Sequence, residues 1–279
     1  MDVTTPAVRL LAEIAGYGRT LVAFSGGVDS SVVLAAAVRA LGSSDVAAVT
    51  AASPAMPAAE LAAAREFCAD LGVTQHVVAT DEMQVGGYRE NGPTRCYFCK
   101  STLLDVAIGL ATARGFNAVA TGTNASDVAA GFRPGIRAAA ERGARTPLAD
   151  TGMDKPAVRE IARQWRLSTW DKPAAACLSS RISFGIEITP ARLARVERAE
   201  AATRRALADR RVRDLRVRDL GDAVRLEVDP RLVEVAREDG VVHQAIRDAG
   251  FTGVPLVVEP FRSGSMNELL PDPGRWKRA

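Results

Sequence analysis

Four short apolar runs, at residues 20–24, 46–51, 75–78 and 118–121, alternate with helix-forming segments at 31–41, 57–71, 99–114 and 155–165. Short, continuously apolar runs suit strands buried on both faces of a parallel sheet. Their alternation with helices predicts an α/β domain with a doubly wound parallel sheet. Such a sheet binds its ligand in the crevice beyond the carboxyl ends of its strands. Three polar segments fall there: 25–30 after the first strand, 51–53 after the second and 122–124 after the fourth. The first reads Ser25-Gly26-Gly27-Val28-Asp29-Ser30. Its glycines permit backbone conformations that a Cβ would obstruct. Amide hydrogens can then converge on an anion at the positive end of the following helix. The loop lacks both the spacing and the Lys-Ser/Thr ending of a Walker A loop.

A second region begins near residue 171. The stretch 171–188 contains Pro, Ser and Gly and reads as a linker from 173, following a first domain at 1–172. Thr189 and Pro190 suit the N-cap and first position of a long helix. Leu215 and Val217 then alternate with Arg216 and Arg218, and Val224, Leu226 and Val228 with Arg225 and Glu227. With Gly221-Asp222 between them, these runs predict a β-hairpin. Arg216, Arg218, Arg225 and Glu227 then share one face, and such an alternation equally describes a solvated strand face. A helix from Asp229-Pro230, another at 241–249 and a strand at 255–258 complete a smaller α+β domain at 189–270. The polar end, 271–279, is expected to fray.

The chain of 279 residues can bury a substantial core. It is 47% apolar and 25% charged, and no apolar run is expected to span a bilayer. No basic, then hydrophobic leader pattern opens the sequence, so a cytoplasmic location is expected and membrane partners are not. A formal net charge of +3 makes no electrostatic demand for nucleic acid.

The cysteines stand at 68, 96, 99 and 177. In a cytosolic chain of this size, closely spaced thiols mark metal or redox chemistry more often than a disulfide framework. Cys96 and Cys99 sit in a Gly/Pro-rich segment entering a helix, whose positive end favours thiolate. Cys68 shares a helix face with Leu61, Ala64 and Leu71 and reads as a core thiol. His76 lies in a strand run and His243 on a helix, so neither is suited to complete a zinc site. Cys96, Cys99 and Cys177 would leave one coordination position open, as in an iron–sulfur cluster with an exchangeable site. A structural zinc and bare thiols remain open on residue types alone. Arg181, four residues beyond Cys177, could lower that thiol's pKa and make it a nucleophile.

The SGGxDS pattern resembles the pyrophosphate loop of the ATP pyrophosphatases. Taken with Arg95-Cys-Tyr-Phe-Cys-Lys100, Gly122-Thr-Asn-Ala-Ser-Asp127, Arg133-Pro-Gly135, Trp170-Asp-Lys-Pro173, Cys177-Leu-Ser-Ser-Arg181, Arg216-Val-Arg218 and Gly264-Ser-Met-Asn-Glu268, the chain resembles the ATP-dependent sulfur transferase family LarE, from the first strand to about residue 270. The resemblance implies an adenine nucleotide alpha hydrolase-like fold. It implies ATP and Mg²⁺ at Ala23, Ser25, Gly26, Gly27, Asp29, Ser30, Ser53, Lys100, Gly122 and Asp127, with pyrophosphate as a product. The implied substrate is a small anionic pyridinium nucleotide, the 3,5-biscarboxylic acid mononucleotide. Its adenylated carboxylate becomes a thiocarboxylate on the way to the nickel-pincer nucleotide of lactate racemase. Arg216 and Arg218 would bind its anionic groups, with Arg181 and Arg225 as weaker candidates and Glu227 orienting the arginines. Cys177 corresponds to the family cysteine that surrenders its sulfur and becomes dehydroalanine. Members with an added CxxC pair hold a [4Fe-4S] cluster, which implies cluster ligation here by Cys96, Cys99 and Cys177. The family also implies a homo-oligomer.

Other adenylating enzymes share such a loop. A tRNA thiolase calls for a wider basic surface and salt-sensitive RNA binding. An amide-forming ligase needs an ammonia source, for which no residues remain. A regulator that senses a nucleotide would bind ATP without releasing pyrophosphate.

Overall fold

The structure, a computed structural model, describes residues 5–131, 133–173, 176–262 and 264–269; the polar end at 271–279 lies outside them. The chain divides into two compact units, the first from residues before 83 and from 94 into the 170s, the second from Met83–Pro93 and from 176 onward. The eleven residues Met83–Pro93 therefore group with the second unit, although the sequence boundaries had placed them within the first.

In the first unit, helix α1 (Pro6–Ala15) precedes β1 (Thr20–Ala23), α2 (Val28–Leu41), β2 (Val46–Ala52), α3 (Ala58–Asp70) and β3 (Thr74–Ala79). Past the short α4 (Gly86–Arg89), which belongs to the second unit, come α5 (Arg95–Arg114), β4 (Ala118–Ala120), α6 (Ala125–Ala129), α7 (Pro134–Glu141), α8 (Pro147–Asp150) and α9 (Lys155–Gln164). The strands form one parallel sheet in the order β3-β2-β1-β4. Alternate residues of the central strands feed two cores. Val22, Phe24, Val46 and Ala48 join α1, α2, α3 and α9, while Leu21, Ala23, Ala47 and Val49 meet Leu104, Ala107 and Ala111 of α5. The result is the expected doubly wound α/β arrangement. Successive connections leave β1 first towards β2 and β3 and then to β4, so the crevice lies at β1, where the winding direction reverses.

Helix α5 begins at Arg95, four residues earlier than expected, and its 20 residues make it long and apolar enough to cross a membrane by length and composition alone. The expectation that no segment reaches that length is therefore corrected. Here α5 covers the sheet through Leu104, Ala107 and Ala111.

The second unit contains α10 (Pro190–Ala206), β5 (Leu215–Asp219), β6 (Val224–Val228), α11 (Val233–Glu238), α12 (Gly240–Asp248) and β7 (Leu256–Pro260). Thr189 caps α10 by accepting from the Arg192 amide, with Pro190 at the first position. Strands β5 and β6 are antiparallel, with Arg216 opposite Glu227 and Arg218 opposite Arg225. Gly221, at φ 90°, serves the turn. Strand β7 adds to β6 in parallel.

Candidate active site

The loop after β1 is shaped from within. Gly26 stands at φ 73°, a conformation that side chains with a Cβ rarely adopt. The Ser30 hydroxyl donates to the Gly27 carbonyl at 3.0 Å and accepts from the Ser25 amide at 3.3 Å. Gly27 is the N-cap of α2 and makes no side-chain capping bond. Amides of the first turn thus face the crevice at the positive helix end, the arrangement that binds phosphate. Gly122, after β4, approaches the same turn so closely that a Cβ would lie 2.7 Å from the Ser30 nitrogen and 3.0 Å from the Asp29 carbonyl carbon. Those neighbours are backbone and cannot swing aside. Gly122→Ala is expected to cost about 1–3 kcal/mol of stability and to weaken ATP binding, measured by denaturant unfolding and calorimetry.

Asp29, on the first turn of α2, accepts from Asn124 Nδ2 at 3.0 Å and forms an ion pair with Lys155, 126 residues away at the start of α9. Asn124 also accepts from the Asp127 amide at 3.0 Å, and Asp127 answers in a capping box that opens α6. Asp127 further faces Arg133 at 3.5 Å. Lys172 donates to the Gly26 carbonyl at 3.1 Å and to Glu60 at 2.6 Å, and Arg159 holds the carbonyls of Trp170 and Lys172. Ser53 turns the chain after β2 by accepting from the Ala55 amide at 3.2 Å.

Cys96 and Cys99 lie on the first turn of α5 rather than in a loop before it, one turn apart on neighbouring positions of the helix surface. Cys96 is exposed and Cys99 intermediate, and neither forms a disulfide. Tyr97 between them donates to Glu141 of α7 at 2.5 Å, and Arg137 stacks over its ring at 4.5 Å. Lys100 follows, largely withdrawn from solvent; burial holds its ammonium below the usual lysine range, and proximity to Cys99 opposes that shift. Among the described residues Lys100 makes no ion pair with the phosphate loop. Cys68 is buried in the α3 core, and burial pushes its thiol up to about 11. Among the described residues, no three or more Cys, His, Asp or Glu side chains gather to hold a metal. Cys96, Cys99 and Cys177 all lie outside disulfides, and thiols are the donor type that an iron–sulfur cluster takes.

Cys177 precedes a short 3₁₀ turn, Leu178–Arg181. Its carbonyl accepts from the Ser180 hydroxyl at 2.8 Å and from Arg181 Nη1 at 3.0 Å. Arg181, 3% exposed, is bound in turn by Glu200 of α10 at 2.9 Å, and Glu200 also accepts from the Val217 amide at 3.1 Å. The face carrying Arg216, Arg218 and Glu227 is buried, with exposures of 7%, 6% and 1%. Arg218 donates to Glu227 through Nε and Nη2 at 3.1 and 2.7 Å and reaches the Ser180 carbonyl at 3.2 Å. Ser265 closes on the other Glu227 oxygen at 2.7 Å. Burial, and then the charges of Arg181, Arg218 and Arg204, push the Arg216 guanidinium down to about 10 against the opposing charge of Glu200. Cys177 is thus anchored beside a covered floor in which guanidinium charge predominates, a setting suited to anionic groups.

The NAD synthase family matches residues 8–95, the strand–loop–helix portion that carries the phosphate loop. Across 95% of the chain and 95% of the relative, the sequence is 31% identical to the pyridinium-3,5-bisthiocarboxylic acid mononucleotide synthase of Lactiplantibacillus plantarum. The chain belongs to the LarE family. It is also 41% identical to the uncharacterized protein slr1717 of Synechocystis, over 90% of the chain and 93% of that protein. A third relative, the uncharacterized protein MJ0830 of Methanocaldococcus jannaschii, is 29% identical over 62% of the chain and 66% of its own length. LarE membership, with the NAD synthase-like loop, makes the chain an ATP-dependent adenylating sulfurtransferase.

For a LarE-type enzyme the structure gathers the sequence candidates into two groups. Ser25, Gly26, Gly27, Asp29, Ser30, Gly122 and Asp127 meet around the loop that follows Ala23; Cys177, Arg181, Arg216, Arg218 and Glu227 meet in the second unit. Sequence reading overlooked Lys155 and Glu60 in the first group and Glu200 in the second; Asn124, Lys172 and Ser265 stood within motifs it singled out but were given no individual role. The scarcity of lysine was one available signal, since Lys155 and Lys172 are two of only four lysines and both end on the Ser25–Ser30 turn. Glu200 carried none, being one of two glutamates on an Arg/Ala/Glu helix.

Proposed function

We propose that this LarE-type enzyme adenylates a carboxylate of pyridinium-3,5-biscarboxylic acid mononucleotide and converts it to the thiocarboxylate, on the way to the nickel-pincer nucleotide. The observation that carries the reading is the Cys177 turn, whose carbonyl is clasped by Arg181 beside the buried pair Arg218–Glu227. A sulfur donor and an anion-binding floor therefore share one unit, as a phosphorylated dicarboxylate requires. A carboxylate resists nucleophiles because it is already anionic; attack on the α-phosphorus of ATP gives an acyl-AMP and pyrophosphate. The α2 amides would hold the departing phosphates, with Lys155 released from Asp29 as charge accumulates there. Asp29 would hold Mg²⁺, which when bound neutralises phosphate charge. The Cys177 thiolate then displaces AMP from the acyl carbon. Loss of an α-proton and cleavage of the Cys177 Cβ–Sγ bond leave dehydroalanine in the protein and sulfur on the product. A [4Fe-4S] cluster, held by Cys96, Cys99 and Cys177, would instead supply exchangeable sulfide and spare Cys177. Homo-oligomeric assembly and a cytoplasmic location belong to the same proposal.

An anaerobic reaction of ATP with the pyridinium biscarboxylate, followed by mass spectrometry of product and protein, tests it. A thiocarboxylate is expected, together with either a Cys177 lighter by H₂S or an intact Cys177 in a protein carrying about four irons. Pyrophosphate release without any sulfur in the product refutes the reading.

Lys100 adds a pH test. Its depressed pKa predicts that pyrophosphate release falls with rising pH along a limb below the 10.5 of a free lysine side chain. Lys100→Arg should move that limb upward. Stability should change the other way: between the folded and unfolded pKa values the unfolded chain binds more protons, so this group's contribution rises with pH.

A further inference from the structure

Residues 83–93 join the second unit, and their contacts there end on the turn that carries Cys177. Tyr88 is 1% exposed, and its hydroxyl lies 2.5 Å from Ser179 Oγ, two residues from Cys177. Asn91 is fully buried at φ 55°, a conformation in which Asn is several-fold enriched. Its Nδ2 donates to the carbonyls of Ile182, Ser183 and Ile186 at 3.3, 2.8 and 2.9 Å. Its own carbonyl accepts from the Gly185 amide at 3.2 Å, and the Arg89 carbonyl accepts from Ile188 at 2.9 Å. Arg89 also pairs with Glu187. The turn is therefore held from two directions: Arg181 grips the Cys177 carbonyl, while Tyr88 and Asn91 pin the residues that follow.

A satisfied buried polar network rigidifies what it holds. Rigidity at this place has a chemical use, because attack on an acyl carbon tolerates little misplacement of the nucleophile. A phenylalanine would fill the Tyr88 volume without its hydroxyl, so packing alone does not call for the Tyr88–Ser179 bond. We infer that Tyr88 and Asn91 are positioning residues for sulfur transfer, acting through the turn after Cys177 to present its sulfur in one orientation. This rests on the sulfur-carrying role proposed for Cys177.

Tyr88→Phe, Ser179→Ala and the double variant of the full chain test it, with substrate-dependent pyrophosphate release and thiocarboxylate formation measured on the same samples. Pyrophosphate release is expected to stay within about twofold, and thiocarboxylate formed per pyrophosphate to fall on the order of ten- to a hundredfold. The loss in the double variant should fall well short of the product of the single losses, because both substitutions remove the same Tyr88–Ser179 bond. An unchanged ratio in Tyr88→Phe overturns the inference, as do losses that multiply in the double variant. If Tyr88→Phe does not fold, Ser179→Ala carries the same test. Should the parent enzyme form no thiocarboxylate, the proposed function fails and iodoacetamide decides the positioning separately. Alkylation of Cys177 at least about threefold faster in Tyr88→Phe, with Cys96 as internal standard, upholds it; equal rates overturn it.

Discussion

Cys177→Ser should release pyrophosphate in the presence of substrate at close to the parent rate while forming no detectable thiocarboxylate, a loss of at least about 10³ in sulfur transfer. The separation follows from where the groups lie. The phosphate loop, Asp29, Asn124 and Lys155 belong to the first unit, and the Cys177 turn to the second. Serine preserves the bonds of the turn, because Ser180 and Arg181 grip the main-chain carbonyl of residue 177 rather than its side chain. Its hydroxyl is a far weaker nucleophile than a thiolate near neutral pH. Both sulfur routes lose residue 177, one as donor and the other as ligand, so both predict the same collapse. Sulfur transfer that survives in Cys177→Ser would remove the residue from the mechanism.

Arg218→Ala should destabilise the second unit by about 3–5 kcal/mol, because it strands a buried carboxylate. Glu227, 1% exposed, would lose both short bonds from Arg218 and retain Ser265 at 2.7 Å, with Arg225 at 3.8 Å. Adding Glu227→Gln should recover most of that stability, since the stranded charge is gone. Neither variant should recover affinity for the pyridinium nucleotide, expected to drop ten- to a hundredfold with the loss of a charge-assisted contact worth about 1.5–3 kcal/mol. Chemical unfolding and calorimetry on the same proteins distinguish the two effects. Unchanged affinity in Arg218→Ala would place the anion elsewhere.

The hairpin shows how far residue patterns reach. Alternation of apolar and charged residues located β5 and β6 and put Arg216, Arg218, Arg225 and Glu227 on one face, as the pairing of Arg216 with Glu227 requires. It did not tell that the face is covered, because charged residues alternate identically over water and over a buried ion pair. The parallel strands were legible to within a residue or two, since continuous apolar runs between helices have few other uses. Helix α5 starts at Arg95 rather than 99, because the Gly92-Pro93 pair reads as a break that extends further than it does. Met83–Pro93 had no local signal at all. Its allegiance comes from contacts such as that of Asn91 with Ile186, 95 residues along the chain. Long-range pairs such as Asp29–Lys155 were hidden in the same way.

The core position of Cys68 has a bearing on any stoichiometry measured with this enzyme. A sulfhydryl titration of the native metal-free protein should count three equivalents, with the fourth appearing only on unfolding, because a thiol raised to about 11 and sealed on the core face of α3 reacts slowly. Iron or sulfide per chain is therefore to be reckoned against three accessible sulfurs, and a fourth equivalent in the native count would signal an opened first unit.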